Sequence, residues 1–281
     1  MNEHVIGLRW QIHSSMIPPT AYLLIWSNGG VENLPLGLGT LFDVKISKER
    51  YCVGYFDPNS REWSPCEHKR SGGVVCSECG FRSGQSYIPH TCSKDSKSCR
   101  AYCFTPHSVY MALIADVPKV GVTRFSRRYE RFFESGANEA RLILLEENRA
   151  EAVDIERTIS TKFRVLGVRE HVRITKRNIV PFLRTPTKER LASFSTLSQE
   201  IARWLTKERY KVPKLEVLDD SVLYYPSTKE IDSRVQYAET SERISGEIVS
   251  LKGSIAVLED QEGLKAFELD SLRGRIIEGS T

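Results

Sequence analysis

The chain has 281 residues, 40% of them hydrophobic and 27% charged, which is enough apolar material to bury a normal core and to divide into two or three compact units. No apolar run approaches the roughly eighteen residues of a membrane-spanning helix, and the first residues lack a basic stretch followed by an apolar one, so a helical membrane protein is excluded and the expected compartment is the cytoplasm. A formal net charge of +4 is too mild to define a polyanion partner, and local clustering has to carry that question.

In chain order, residues 5–12, 21–26, 40–46 and 51–56 favour strands, separated by Pro, Gly, Ser and Asn. Residues 244–251, 254–258, 264–269 and 274–277 are of the same kind, the middle two joined by a polar turn ending at Gly263. Either group alone is short of strands for an independent sheet, so the two ends are expected to complete one small β-barrel or sheet between them.

Six of the seven cysteines follow the first group, in the pattern Cys66-x9-Cys76-x2-Cys79-x12-Cys92-x6-Cys99-x3-Cys103, with His68, His90 and His107 interspersed. An odd, locally clustered set fits thiolate ligation in a reducing compartment better than a disulfide framework. The Cys76-x-x-Cys79 pair followed by Gly80 makes the tight turn that brings two thiolates to one tetrahedral ion. Several ligand partitions satisfy the spacing. Cys66 and His68 complete one site while Cys92, Cys99 and Cys103 with His90 or His107 complete another, or a single site uses Cys66, Cys76, Cys79 and Cys92. Each histidine reads equally well as a surface or supporting residue. No glutamate is placed to activate a metal-bound water, so the expected zinc is structural, one ion or two. Residues 66–103 are poor in large aliphatic side chains and need metal to fold. Cys52, inside an apolar run, reads as a buried free thiol.

Residues 107–183 read strand, strand, helix, strand, helix. The first helix covers 126–135 and stops at Gly136; residues 140–145 form the third strand. An amphipathic helix follows over 149–163, with Ala152, Ile155, Ile159 and Phe163 at three- and four-residue steps. Pro186 introduces another periodic run, Leu191, Phe194, Ile201 and Leu205, ending before Pro213. Residues 211–243 mix prolines and charges and read as a linker. Between 119 and 131 the cations Lys119, Arg124, Arg127, Arg128 and Arg131 are interrupted by one acidic residue and interleaved with Phe125, Tyr129, Phe132 and Phe133, a pattern suited to phosphate contacts and base stacking. A second basic stretch, Lys162, Arg164, Arg169, Arg173, Lys176 and Arg177, can extend that face.

Ser108-Val109-Tyr110, an eight-residue turn-bearing segment and Lys119-Val120-Gly121, followed by Arg131 and Glu156, resemble the motifs of the GIY-YIG nuclease superfamily. The run from Cys103 through Lys119-Val-Gly-Val-Thr-Arg124 and Arg131-Phe-Phe-Glu-Ser-Gly-Ala137 to Asp154-Ile-Glu156 is similar, more closely, to the uncharacterised family called domain of unknown function 2797, in which cysteines precede a GIY-YIG-like core. The likeness spans about residues 66–163. It implies hydrolysis of a phosphodiester, in which Tyr110 helps activate water, Arg131 stabilises phosphate charge and Glu156 holds one Mg²⁺ or Mn²⁺. Lys119 stands where the superfamily's second tyrosine would be, and a lysine there holds phosphate as a point charge. The competing readings are Tyr110 as a half-buried strand aromatic, Glu156 on a solvated helix face and Gly121 as a site of strand curvature.

The expected fold is therefore α+β: an N-terminal β region at 1–60, a zinc-stapled module at 61–106, a GIY-YIG-like α/β unit with a three-stranded sheet and flanking helices at 107–183, a helix and linker at 184–243, and a C-terminal β region at 244–281. The expected function is nucleic-acid binding, to DNA or RNA, with metal-dependent endonuclease activity. The alternatives are an inactive nucleic-acid or ribonucleoprotein scaffold and a protein adaptor, and the hydrolase requires Tyr110, Arg131 and Glu156 to converge.

Overall fold

Apolar runs bounded by turn residues become strands and the three- and four-residue apolar steps become helices in the computed structural model, which describes residues 2–12, 19–27, 30–57, 62–66, 73–83, 101–210, 216–218, 235–238 and 242–280. In chain order the elements are β1 (Asn2–Gln11), β2 (Thr20–Ser27), β3 (Gly30–Leu36), β4 (Leu41–Ile46), β5 (Tyr55–Asp57), β6 (Glu62–Ser64), α1 (Ser77–Ser83), β7 (His107–Ile114), β8 (Val117–Arg124), α2 (Arg128–Ser135), β9 (Glu139–Glu146), α3 (Arg149–Lys162), α4 (Ile179–Leu183), α5 (Lys188–Lys207), β10 (Glu216–Leu218), β11 (Gln236–Ala238), β12 (Arg243–Lys252), β13 (Ile255–Asp260), β14 (Gly263–Glu268) and β15 (Ile276–Ser280). The result is a mixed α+β protein. Contacts divide it into two units, residues 1–88 with 225–281, and residues 89–224.

The first unit holds a nine-stranded sheet in the order β11-β14-β13-β12-β4-β15-β1-β2-β3, so strands from both ends of the chain interleave. The closing register is Asn2↔Glu278 between β1 and β15, and Ile244↔Val44 between β12 and β4. Trp10, 1% exposed, donates its indole N–H to the Gly253 carbonyl at 2.9 Å and so satisfies its polar atom inside the core. The expected barrel does not close, because the sheet ends in β3 and β11 rather than in two strands that pair. β3 carries Pro35, which has no N–H to donate, and points Glu32 and Asn33 outward, the marks of an edge.

The second unit holds an antiparallel sheet in the order β10-β9-β7-β8. The expected three strands gain a fourth, β10, from the segment that reads as a linker. β7 is buried at every position because both of its faces are covered. On one face Val109, Met111 and Leu113 pack with Ala152, Ile155, Ile159 and Phe163 of the α3 segment and with Phe194, Ile201 and Leu205 of α5. On the other Tyr110 meets Phe132 of α2 edge to face, with ring centroids 4.9 Å apart. α3 and α5 therefore lie on one face of the sheet and α2 on the other. Gly136 ends α2 in the left-handed conformation at φ 68°. Asn148 caps α3 by accepting from the Glu151 N–H at 3.0 Å, and Thr187 caps α5 by accepting from the Arg190 N–H at 3.3 Å. A buried ion pair between Glu139 and Arg141 on β9 is tied to α5 by a 2.9 Å hydrogen bond from Arg141 Nη1 to Ser195 Oγ.

Candidate metal centre and polar edge of the central sheet

Four thiols of the first unit gather from three segments. Cys52 comes from the irregular stretch between β4 and β5, Cys66 follows the β5–β6 hairpin, and Cys76 and Cys79 flank the start of α1. Their sulfurs all lie within 4.8 Å of one another, and this group can hold a metal ion such as zinc. The apolar run 51–56 is not one strand: residues 51–54 are irregular, and Cys52 and Val53 are buried at 3% and 0%. Gly54, at φ +81°, closes that turn, and a Cβ there would collide with the Ser64 carbonyl. Cys52, read as a free thiol, thus belongs to the thiol group. Of the other expected ligands, Cys103 is buried in the central unit, while His68, His90, Cys92 and Cys99 lie outside the described residues.

The thiols differ in acidity. The Cys79 backbone N–H pointing at Cys76 Sγ, opposed by burial and assisted by the neighbouring thiols, draws the Cys76 pKa down to about 7. Burial, reinforced by the surrounding thiols, pushes Cys79 well above its ordinary value. A divalent ion would reverse that second shift, since ligation needs the thiolate.

In the central unit, register sets Tyr110 opposite Gly121 on the edge strand β8. A Cβ at 121 would stand 2.6 Å from both Cζ and Oη of the phenol, so the ring lies against β8, and the Tyr110 side chain is buried at 1% exposure. The missing side chain is what admits it. Arg131 of α2 neighbours the phenol. Burial works against its charge, but Tyr110 and the Glu134 carboxylate outweigh that and raise its pKa. Lys119 lies two residues along β8, opposite Ala112 and so on the Tyr110 face.

Glu156 sits on α3, across the sheet from α2. Burial first and the Glu170 carboxylate second raise its pKa to about 7, while Lys119, Arg149 and Arg157 act in the opposite sense. Glu170 is brought in by the segment that runs beside β8, where Val120 N–H donates to the Arg169 carbonyl at 2.9 Å and Arg169 N–H donates to Pro118 O at 3.0 Å. Its carboxylate accepts from Ser160 Oγ. By register Lys119 shares the face of Tyr110 and Arg131, while Glu156 comes from α3 on the other face; Lys119, on the edge strand, still acts on the Glu156 carboxylate. A carboxylate near pKa 7 is suited to proton transfer or, once deprotonated, to a hard cation.

The arginine ridge is partly committed. Arg127 Nη2 and Arg131 Nη1 both donate to Glu134, at 2.8 and 3.4 Å. The Arg128 guanidinium lies 4.0 Å from the Phe125 ring centroid and 4.2 Å from that of Tyr129, and donates to the Phe125 carbonyl and the Tyr129 hydroxyl. Arg128 therefore stacks inside its own turn. Arg124, at the end of β8, is exposed. Glu134, Arg149, Ser160 and Glu170 escape sequence reasoning; Glu170 lies in irregular backbone, where no periodicity reveals which strand it will meet.

Fold and site together define a mixed α+β protein with a four-thiol group able to hold a metal. The chain belongs to the family described as protein of unknown function (DUF2797), whose model matches residues 39–274. Neither a curated protein nor a solved structure matches it. Among the described residues no helix is long and apolar enough to cross a membrane.

Proposed function

We propose that this is a zinc-containing nucleic-acid-binding protein whose central unit, of GIY-YIG type, grips the phosphate backbone at the β8 edge. The observation that supports this reading most is the phenol of Tyr110 laid over Gly121 and beside Arg131, with Lys119 on the same strand. A guanidinium and an ammonium beside one edge strand are complementary to a phosphodiester, with the buried phenol positioning the guanidinium, and neither cation specifies a base. The test is an electrophoretic shift panel of duplex, flapped, branched and single-stranded DNA and RNA at low and moderate salt. Binding that weakens in Arg131→Ala is expected, and no shift of any form at low salt overturns the reading.

Hydrolysis is a second reading, favoured by Glu156. Its raised pKa, to about 7, and its place beside β8 suit a carboxylate that takes one Mg²⁺ or Mn²⁺ when deprotonated. That ion would polarise a phosphate oxygen; Tyr110 and Arg131 lie on the other side of the edge strand, so they would act on the same phosphate only if it were held across that strand. Cleavage that needs added Mg²⁺ or Mn²⁺ and disappears in Glu156→Ala with binding retained is the expected outcome. Binding without cleavage of any substrate form makes the protein a scaffold.

A further inference from the structure

We infer that Cys52, Cys66, Cys76 and Cys79 bind one Zn²⁺ as a closed all-thiolate site that fastens the cysteine-rich segment to the nine-stranded sheet, with Cys52 as the ligand contributed by the sheet's own connection. This rests on the zinc part of the proposed function and not on its nucleic-acid part.

The spacing of the sulfurs is the first argument. Four sulfurs about 2.3 Å from a tetrahedral ion must stand about 3.8 Å apart. Cys66 Sγ and Cys76 Sγ are 3.7 Å apart, and all four lie within 4.8 Å. A disulfide brings its two sulfurs to about 2.0 Å, so these thiols are set at ligation distance and not at bonding distance. Four thiolates also complete the tetrahedron and leave no position for water, which makes the site structural.

The second argument is the surroundings of the sulfurs. Four thiolates on Zn²⁺ carry a net double negative charge, which backbone N–H donors must offset. Cys76 N–H donates to Cys52 Sγ at 3.2 Å, and Cys79 N–H donates to Cys76 Sγ at 3.4 Å. The first of these joins the two segments that the ion would bridge.

The third is the anchoring of Cys52. On one side of it Tyr51 N–H donates to Gly274 O at 2.6 Å, and on the other Val53 N–H donates to Val74 O at 3.0 Å. The Val53 carbonyl accepts from the Trp26 indole at 3.3 Å, which reaches β2. Through Cys52 the ion therefore holds a segment already fastened to the sheet.

The test uses the full chain purified without chelator. Zinc-edge X-ray absorption of the wild type, with any second ion accounted for by stoichiometry, is expected to show a shell of four sulfurs at about 2.3 Å. Cys52→Ser is expected to lose one zinc per chain, and Cys103→Ser to lose none from this site. Because Cys52→Ser can misfold, Cys52→His supplies a second arm. A Cys₃His set also binds zinc, so this variant is expected to retain the ion with one sulfur replaced by nitrogen. In the wild type, zinc removal is expected to shift the Trp26 indole N–H resonance. Zinc content and sulfur shell unchanged in Cys52→Ser and Cys52→His overturn the assignment while leaving the protein a zinc protein. A folded wild type without zinc overturns both.

Discussion

Replacing Gly121 by Ala tests whether the phenol of Tyr110 is held over the edge strand by the absence of a side chain. The added Cβ would sit 2.6 Å from Cζ and Oη of Tyr110, against an ordinary contact of 3.4 Å or more, so ring or strand must move by about 0.8 Å. The ring has little freedom to give way. Tyr110 is 1% exposed and is backed by Phe132 at 4.9 Å, and the strand is held by the pairs Val109↔Val122 and Met111↔Val120 on either side. Overpacking of this kind costs about 1–3 kcal/mol. At the middle of that range the melting temperature falls by about 4–8 °C for a chain of this size. The assay is thermal and urea unfolding of Gly121→Ala beside Gly30→Ala, where nothing lies within 4 Å of the added Cβ. Tyr110→Phe in the Gly121→Ala background removes Oη, one of the two clashing atoms, and is expected to recover part of the loss. A Gly121→Ala protein within about 0.5 kcal/mol of wild type refutes the packing of the phenol against the edge strand.

Arg141→Ala removes the cation paired with the buried Glu139 carboxylate, whose side chain is 6% exposed, and breaking a buried pair from one side costs about 3–5 kcal/mol in urea unfolding; a loss below about 1 kcal/mol would show that the pair contributes little. Glu156 titrates near pH 7 in the folded protein against 4.5 in its absence, so the folded state holds the proton more tightly and ionisation destabilises it as pH rises from 4.5 to 7. Glu156→Gln, which cannot ionise, is therefore expected to match the wild type below pH 4.5 and to exceed it by about 1–3 kcal/mol at neutral pH and above, measured by unfolding across pH without added Mg²⁺ or Mn²⁺; parallel stability curves would place Glu156 in water.

The central unit was largely legible in the sequence because its signals are local. Ala152, Ile155, Ile159 and Phe163 repeat at helical steps and are buried in α3 and its cap, as are Phe194, Ile201 and Leu205 of α5. Gly136 stops α2 because, without a Cβ, it takes up the left-handed conformation. The N-terminal β region was less legible. β3 reads as loop because Glu32, Asn33 and Pro35 suit an edge rather than a two-sided strand, and the apolar run 51–56 reads as strand although residues 51–54 turn Cys52 and Val53 inward without pairing. Cys52 reads as a buried free thiol because it lies inside an apolar run, fourteen positions before Cys66, and only folding closes that gap. The same holds for Glu170, whose effect on Glu156 depends on an irregular segment lying against β8. The relation of Tyr110 to Glu156 is a matter of sheet faces, set by the parity of β7, and motif spacing alone does not give it.

Salt dependence of nucleic-acid affinity tests the phosphate grip most directly. For duplex DNA the logarithm of the association constant should fall linearly with the logarithm of salt, with a slope of about −0.9 per phosphate contacted. The Lys119→Ala, Arg131→Ala double variant should flatten that slope by about two, with affinity weakened to a similar degree across unrelated sequences. Binding indifferent to salt, or a double variant with the wild-type slope, would contradict the account.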